Sequence, residues 1–108
     1  MPWPRTGLYK TTPRGVRVFL RKNTWFNHIC TSHPELKNWL DDILSTIEKP
    51  EGIYDDRGTL FSFRFSEKRG KYIMLVYRIV GRMGRIKTAY TVNDPFAQTR
   101  DLNKVWPR

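Results

Sequence analysis

The chain has 108 residues, of which 20 are Lys or Arg and 10 are Asp or Glu, giving a formal net charge of +10. That length sets a single domain as the expectation, one that buries about two thirds of the surface its unfolded chain exposes. The lone cysteine, Cys30, excludes an internal disulfide and fits a reducing cytoplasm. Two histidines five positions apart make a poor metal motif, so no metal and no cofactor are expected.

Residues 1–14 contain Pro2, Pro4, Pro13 and Gly7, and read as an extended N-terminal arm leading into a single domain over 15–108. GVRVFLR alternates Val16, Val18 and Leu20 with Arg17, Phe19 and Arg21, the pattern of a short strand. Asn23 or Thr24 then caps a short helix running to about Thr31. Its apolar arc is Trp25, Phe26 and Ile29, with His28 on the flank. A second helix starts at Ser32-His33-Pro34-Glu35, where Ser and Glu stand at capping-box spacing and proline is tolerated in the first turn. Leu36, Trp39, Leu40, Ile43, Leu44 and Ile47 form its stripe, and Pro50 ends it.

The remainder reads as sheet. A short strand falls near 52–55. LFSFRFS places Phe61, Phe63 and Phe65 on one face, with Ser62, Arg64 and Ser66 on the other. KYIMLVYRIV has the β-branched and aromatic content of a central strand, and RIKTAYTV alternates until Asn93-Asp94-Pro95 closes it. With 81–84 as a four-residue loop, Tyr77 opposes Thr88 and Leu75 opposes Tyr90, while Arg78 shares the other face with Arg85 and Lys87. A bulge at the turn would shift that register by one residue and mix the two sets. The expected class is α+β: an N-terminal helix pair packed on a four-stranded antiparallel meander.

Charge is segregated along this order. Residues 1–34 carry six basic side chains and no acid, 35–56 carry seven acids against Lys37 and Lys49, and 57–92 carry nine basic residues against Glu67 alone. Such segregation points to a polyanion, with nucleic acid first and an anionic membrane surface second, the alternative being a basic surface with no partner. The longest unbroken apolar run, Tyr72 to Tyr77, is far too short for a membrane span, and MPWPRTGLYK lacks the apolar stretch of a signal peptide. The expectation is therefore a cytoplasmic protein with no membrane partner.

TWFNHICTSHPEL, ILSTIEKPEGIY, KYIMLVYRIV and KTAYTV resemble the phage-associated barnase–colicin–RelE-type nucleases, abbreviated PBECR, over roughly residues 16 to 106. That resemblance implies a helix pair before a four-stranded antiparallel sheet, and metal-independent RNase activity. It carries over His28 and His33 from the two-histidine segment and Thr88 and Tyr90 from the Thr-Ala-Tyr of the last strand. It also calls for a basic strand residue, for which Arg78 and Arg64 are the nearest matches.

The chemistry of these residue types is consistent with that assignment. Cleaving RNA without a metal requires the 2′-OH deprotonated, the leaving 5′-oxygen protonated and the charge on phosphorus stabilised. Histidine suits either proton transfer, and arginine grips phosphate through two N–H donors. His28 is the first candidate for acid or base, its alternative being a half-buried histidine bonded to backbone. His33, in a first helical turn, is read as capping or packing, with nucleic-acid contact as its functional role. Arg78 interrupts an apolar strand and binds phosphate or pairs with Asp55 or Asp56. Thr88 and Tyr90 line the site or simply pack; Arg64, Arg85 and Lys87 supply field along the nucleic acid. The expected function is a metal-independent endoribonuclease, a toxin or phage-related effector restrained by an acidic antitoxin or immunity protein. The alternative is a basic module of a phage or mobile element that binds nucleic acid or protein without chemistry.

Overall fold

The computed structural model describes residues 3–107; Met1, Pro2 and Arg108, the ends of the expected arm and domain, lie outside the described residues. Among the described residues seven strands form one mixed sheet: β1 (Leu8–Thr11), β2 (Arg17–Leu20), β3 (Gly52–Asp56), β4 (Thr59–Ser66), β5 (Lys71–Val80), β6 (Met83–Val92) and β7 (Asn103–Trp106), in the order β1-β2-β6-β5-β4-β3-β7. The expected helix pair on a four-stranded meander is therefore incorrect. Strands β3 to β6 are antiparallel neighbours in chain order, but β2 adds to β6 in parallel and β7 adds to β3.

Part of the segment read as an extended arm is strand. Leu8–Thr11 pairs antiparallel with β2, and Thr12 closes that hairpin by accepting hydrogen bonds on Oγ1 from the backbone N–H groups of Arg14 and Val16, both at 3.2 Å. The parallel approach of β2 to β6 depends on Gly84. A Cβ there would lie 2.8 Å from Val18 Cγ2 and 3.1 Å from Tyr77 Cδ2, so any larger residue would displace the side chains packed over this pairing.

The helical segment differs from expectation in kind as well as extent. Helix α1 covers 22–32, and its middle, Trp25–Ile29, is wound as a π-helix in which the Cys30 N–H donates to the Trp25 carbonyl. That turn buries both Trp25 and Ile29 and leaves His28 exposed between them. The capping box does not form. His33 precedes proline and takes a non-helical φ of −133°, which breaks the chain between Ser32 and Glu35. A 3₁₀ turn, Pro34–Asn38, follows, and the second helix α2 is only Leu40–Glu48. A third, α3 (Pro95–Thr99), starts at Asp94, whose Oδ1 accepts from the N–H groups of Phe96 and Ala97.

The sheet buries apolar residues on both faces. Helices α1 and α2 cover the face bearing Val18, Leu20, Leu75, Tyr77 and Ile86. A network centred on Asp42 docks α2 at one end of it: Arg69 Nε lies 3.0 Å from Asp42 Oδ2, and Ser66 Oγ donates to Oδ1 at 3.0 Å. The opposite face holds Phe63, Met74, Val76 and Val92, capped by Phe96 of α3, which meets Phe63 edge-on at 5.2 Å. That cap covers only part of the second face. Towards β1, β2 and the β5–β6 turn the same face carries Tyr9, Arg17, Phe19, Arg78, Met83 and Arg85, and among the described residues no helix covers it.

Candidate nucleic-acid interface

Strand β6 organises the candidate residues, and its pairing differs from the four-residue-loop register. The turn is two residues, Gly81 and Arg82, with Gly81 at φ +66°, a conformation that glycine enters without Cβ strain. Val80 then opposes Met83, Arg78 opposes Arg85 and Tyr77 opposes Ile86. The ladder slips between Val76 and Tyr77. Lys87 is left without a cross-strand partner, and pairing resumes with Val76 opposite Thr88 and Met74 opposite Tyr90. Strict alternation would put Arg85 and Thr88 on opposite faces. The bulge puts Arg78, Arg85, Thr88 and Tyr90 on one face.

Strand β2 pairs with β6 only at Met83–Arg85, and α1 takes up the flank beyond. Between them runs an open groove of about 540 Å³, lined by Arg21, Asn23, Thr24, Asn27 and His28 on one wall and Arg85, Ile86 and Lys87 on the other. Asn23 and Asn27, one helical turn apart, are tied by a side-chain hydrogen bond, which stiffens the polar side of α1. His28 thus shares its groove with three cations: Arg21, Arg85 and Lys87. Arg78 is not among the lining residues; it lies across the ladder from Arg85, on the open sheet face.

His33 meets the other end of β6. Its ring lies 6.0 Å from the Tyr90 ring, and its Nδ1 is 3.9 Å from Glu35 Oε1. Tyr90 donates from its hydroxyl to Gln98 Oε1 at 3.3 Å, and burial pushes its phenol up, so it stays a neutral donor across the physiological range. Both histidines of the chain therefore flank one strand, His28 beside 85–87 and His33 beside Tyr90.

Two expectations about the cations resolve differently. Arg64 is committed elsewhere: its Nη1 donates to the Lys49 carbonyl at 2.9 Å, in a hollow that also contains Asp42, Glu51 and Glu67. That position ties β4 to the end of α2, away from β6. Arg78 is exposed, and among the described residues the ion pairs are His33–Glu35, Lys68–Asp41 and Arg69–Asp42, so Asp55 and Asp56 do not pair with it. Asp55 instead accepts from the Gly58 N–H in the β3–β4 turn. Sequence reasoning missed Arg21, Asn23 and Asn27 as groove residues. The signal was present in the Asn23–Asn27 spacing, which marks a polar helix side, but their partner strand is more than fifty residues away.

No three His, Cys, Asp or Glu side chains among the described residues gather as a metal-ligand set, and no described helix is long and apolar enough to cross a membrane. Comparison with family models, curated proteins and solved structures finds no match to this chain.

Proposed function

We propose that the chain is an endoribonuclease that cuts RNA without a metal along the α1–β6 groove. One observation carries the reading: both histidines flank the strand that presents Arg85, Lys87, Thr88 and Tyr90. In this proposal Arg85, Lys87 and Arg21 hold the scissile phosphate and offset the charge that builds on phosphorus. His28 acts as acid or base on the same phosphodiester. The 2′-oxygen loses its proton and attacks phosphorus, the bond to the 5′-oxygen breaks and that oxygen takes a proton, leaving a 2′,3′-cyclic phosphate and a free 5′-OH. Tyr90, with His33 against it, supplies a neutral hydroxyl at the far end, and Thr88 and Arg78 line the adjoining sheet face.

A positioned acid or base is worth about 10²–10⁴ in rate, and one well-placed charge donor about 10²–10³. Arg85 thus takes the role expected of Arg78. The reaction class is that of the nucleases the two-histidine segment and Thr-Ala-Tyr resemble, and the reading does not depend on their helix-pair architecture. The setting proposed is cytoplasmic, as a toxin or phage-related effector. An acidic antitoxin or immunity protein would complement the +10 charge.

A second reading, binding without chemistry, is favoured by the uncovered sheet face, where Tyr9 packs on Phe19 at 5.0 Å and Arg17 lies 5.5 Å over Tyr9, an aromatic and cationic surface away from both histidines. The two separate in one assay. Purified protein incubated with RNA in EDTA should yield 2′,3′-cyclic ends, and His28→Ala, at an exposed position, should abolish the cutting while melting like the parent. Intact RNA, or cleavage undiminished in both His28→Ala and His33→Ala, removes the enzyme reading.

A further inference from the structure

On the other side of Arg21 and Arg85 from the His28 groove lies a second hollow of about 310 Å³, at the lower end of the range for small-ligand pockets. Phe19, Val80 and Met83 give it an apolar floor, and Arg5 and Thr6 close it from the N-terminal side. A tight turn positions those two, with the Gly7 N–H donating to the Pro4 carbonyl at 2.9 Å. Val80 and Met83 remain 55% and 51% exposed, so apolar side chains stand open beside guanidinium groups. Arg21 and Arg85 line both hollows and form the wall between them.

This combination selects a ligand class. An aromatic ring on an apolar floor suits a flat π-system, and three arginines at the rim suit an attached anion. A bare phosphate would leave Phe19, Val80 and Met83 without a partner, and an apolar peptide would leave the arginines without one. We infer that this hollow is a nucleobase subsite, taking one unpaired base of single-stranded RNA while Arg21 and Arg85 hold the phosphate leading into the His28 groove. The inference rests on the reading of that groove as an RNA site. It adds that the strand is held by an unstacked base and not by its backbone alone.

The test uses the full chain carrying His28→Ala and His33→Ala, so that RNA is not cut, and measures fluorescence anisotropy with two probes. One is a short single-stranded RNA; the other is an abasic ribose-phosphate strand of equal length. RNA should bind about tenfold tighter than the abasic strand. Phe19→Leu, which keeps an apolar side chain but removes the π-face, should erase that advantage and leave abasic binding unchanged. Met83→Ser, at an exposed site, gives the same readout should Phe19→Leu melt early. Equal affinity for the two probes, or equal weakening of both by Phe19→Leu, overturns the subsite. A base-dependent, Phe19-dependent affinity in a protein whose parent cuts no RNA upholds the subsite and removes only the enzyme reading. Absence of RNA binding removes the subsite, and where the parent also leaves RNA intact it removes the enzyme reading as well.

Discussion

Replacing Arg85 by alanine tests the proposed interface most directly, because this side chain lines the groove and the hollow alike. Three cations line the groove: Arg21, Arg85 and Lys87. Each phosphate neutralised on a single strand contributes a slope of about −0.7 to log K against log salt, so three predict about −2, or roughly a twentyfold loss of affinity between about 50 and 200 mM salt. Arg85→Ala should flatten the slope to about −1.4. Arg85→Lys should keep the slope near the parent value but bind more weakly, since an ammonium cannot reproduce the two-point grip on phosphate. Arg64→Ala is the control, because that guanidinium is engaged by the Lys49 carbonyl and should leave the slope alone. Anisotropy across a salt series, in the uncut double-histidine variant, reads all four. A parent slope near zero, or one that Arg85→Ala leaves unchanged while Arg64→Ala flattens it, would refute the placement of nucleic acid on β6.

Two further predictions concern the scaffold. Burial pushes the Tyr77 phenol up to about 12, with Arg14 opposing part of the rise, and its side chain is 2% exposed. The folded protein keeps that proton up to about pH 12 whereas the unfolded chain loses it near 10, so the Tyr77 contribution to stability should be constant below about pH 10 and fall by roughly 3 kcal/mol over the next two units. Urea melts through that window should show the fall, and Tyr77→Phe should reduce it; an identical fall in the variant would refute the assignment. At the other end of the sheet, Arg69 donates to Asp42 at 3.0 Å and to the Asn38 carbonyl at 2.9 Å, and lies 5.0 Å over the Trp39 ring. Arg69→Ala leaves Asp42, 18% exposed, with only Ser66 as a side-chain partner, and should cost about 2–3 kcal/mol in urea denaturation, below the range of about 3–5 for a fully buried pair because both partners reach solvent. A change below about half a kcal/mol would mean the network does not dock α2.

The strands that were legible are those whose own residues carry a period. LFSFRFS and RIKTAYTV alternate over seven residues or more and KYIMLVYRIV runs apolar from Tyr72 to Tyr77; they became β4, β6 and β5, and the shorter alternation of GVRVFLR and the segment near 52–55 became β2 and β3. Neither β1, with the sequence LYKT, nor β7, with NKVW, carries such a pattern. Each is four residues at a sheet edge, strand only because β2 or β3 offers a row of unpaired backbone groups. The parallel contact between β2 and β6 joins residues more than sixty positions apart, and no local pattern announces it. The helix error has a local cause. Ser32 and Glu35 have capping-box spacing, but Pro34 disfavours helical geometry at His33, which lies at φ −133°, so the box straddles a break.

The site turns on a smaller event than any of these. Alternation along RIKTAYTV assigns Arg85 and Lys87 to one side and Thr88 and Tyr90 to the other, and nothing in those eight letters marks where the alternation fails. Because side chains on a strand change face with every residue, omitting Lys87 from the ladder is enough to bring Thr88 and Tyr90 round to Arg85 and Arg78. On the facing wall the π-wound segment Trp25–Ile29 buries Trp25 and Ile29 and leaves His28 exposed to the groove. Each wall of the groove therefore departs from regular winding where its chemistry is carried. The two departures meet in the groove just beyond Arg85, the last residue of β6 that pairs with β2, so His28 and Lys87 share the hollow that the end of β2 leaves beside β6.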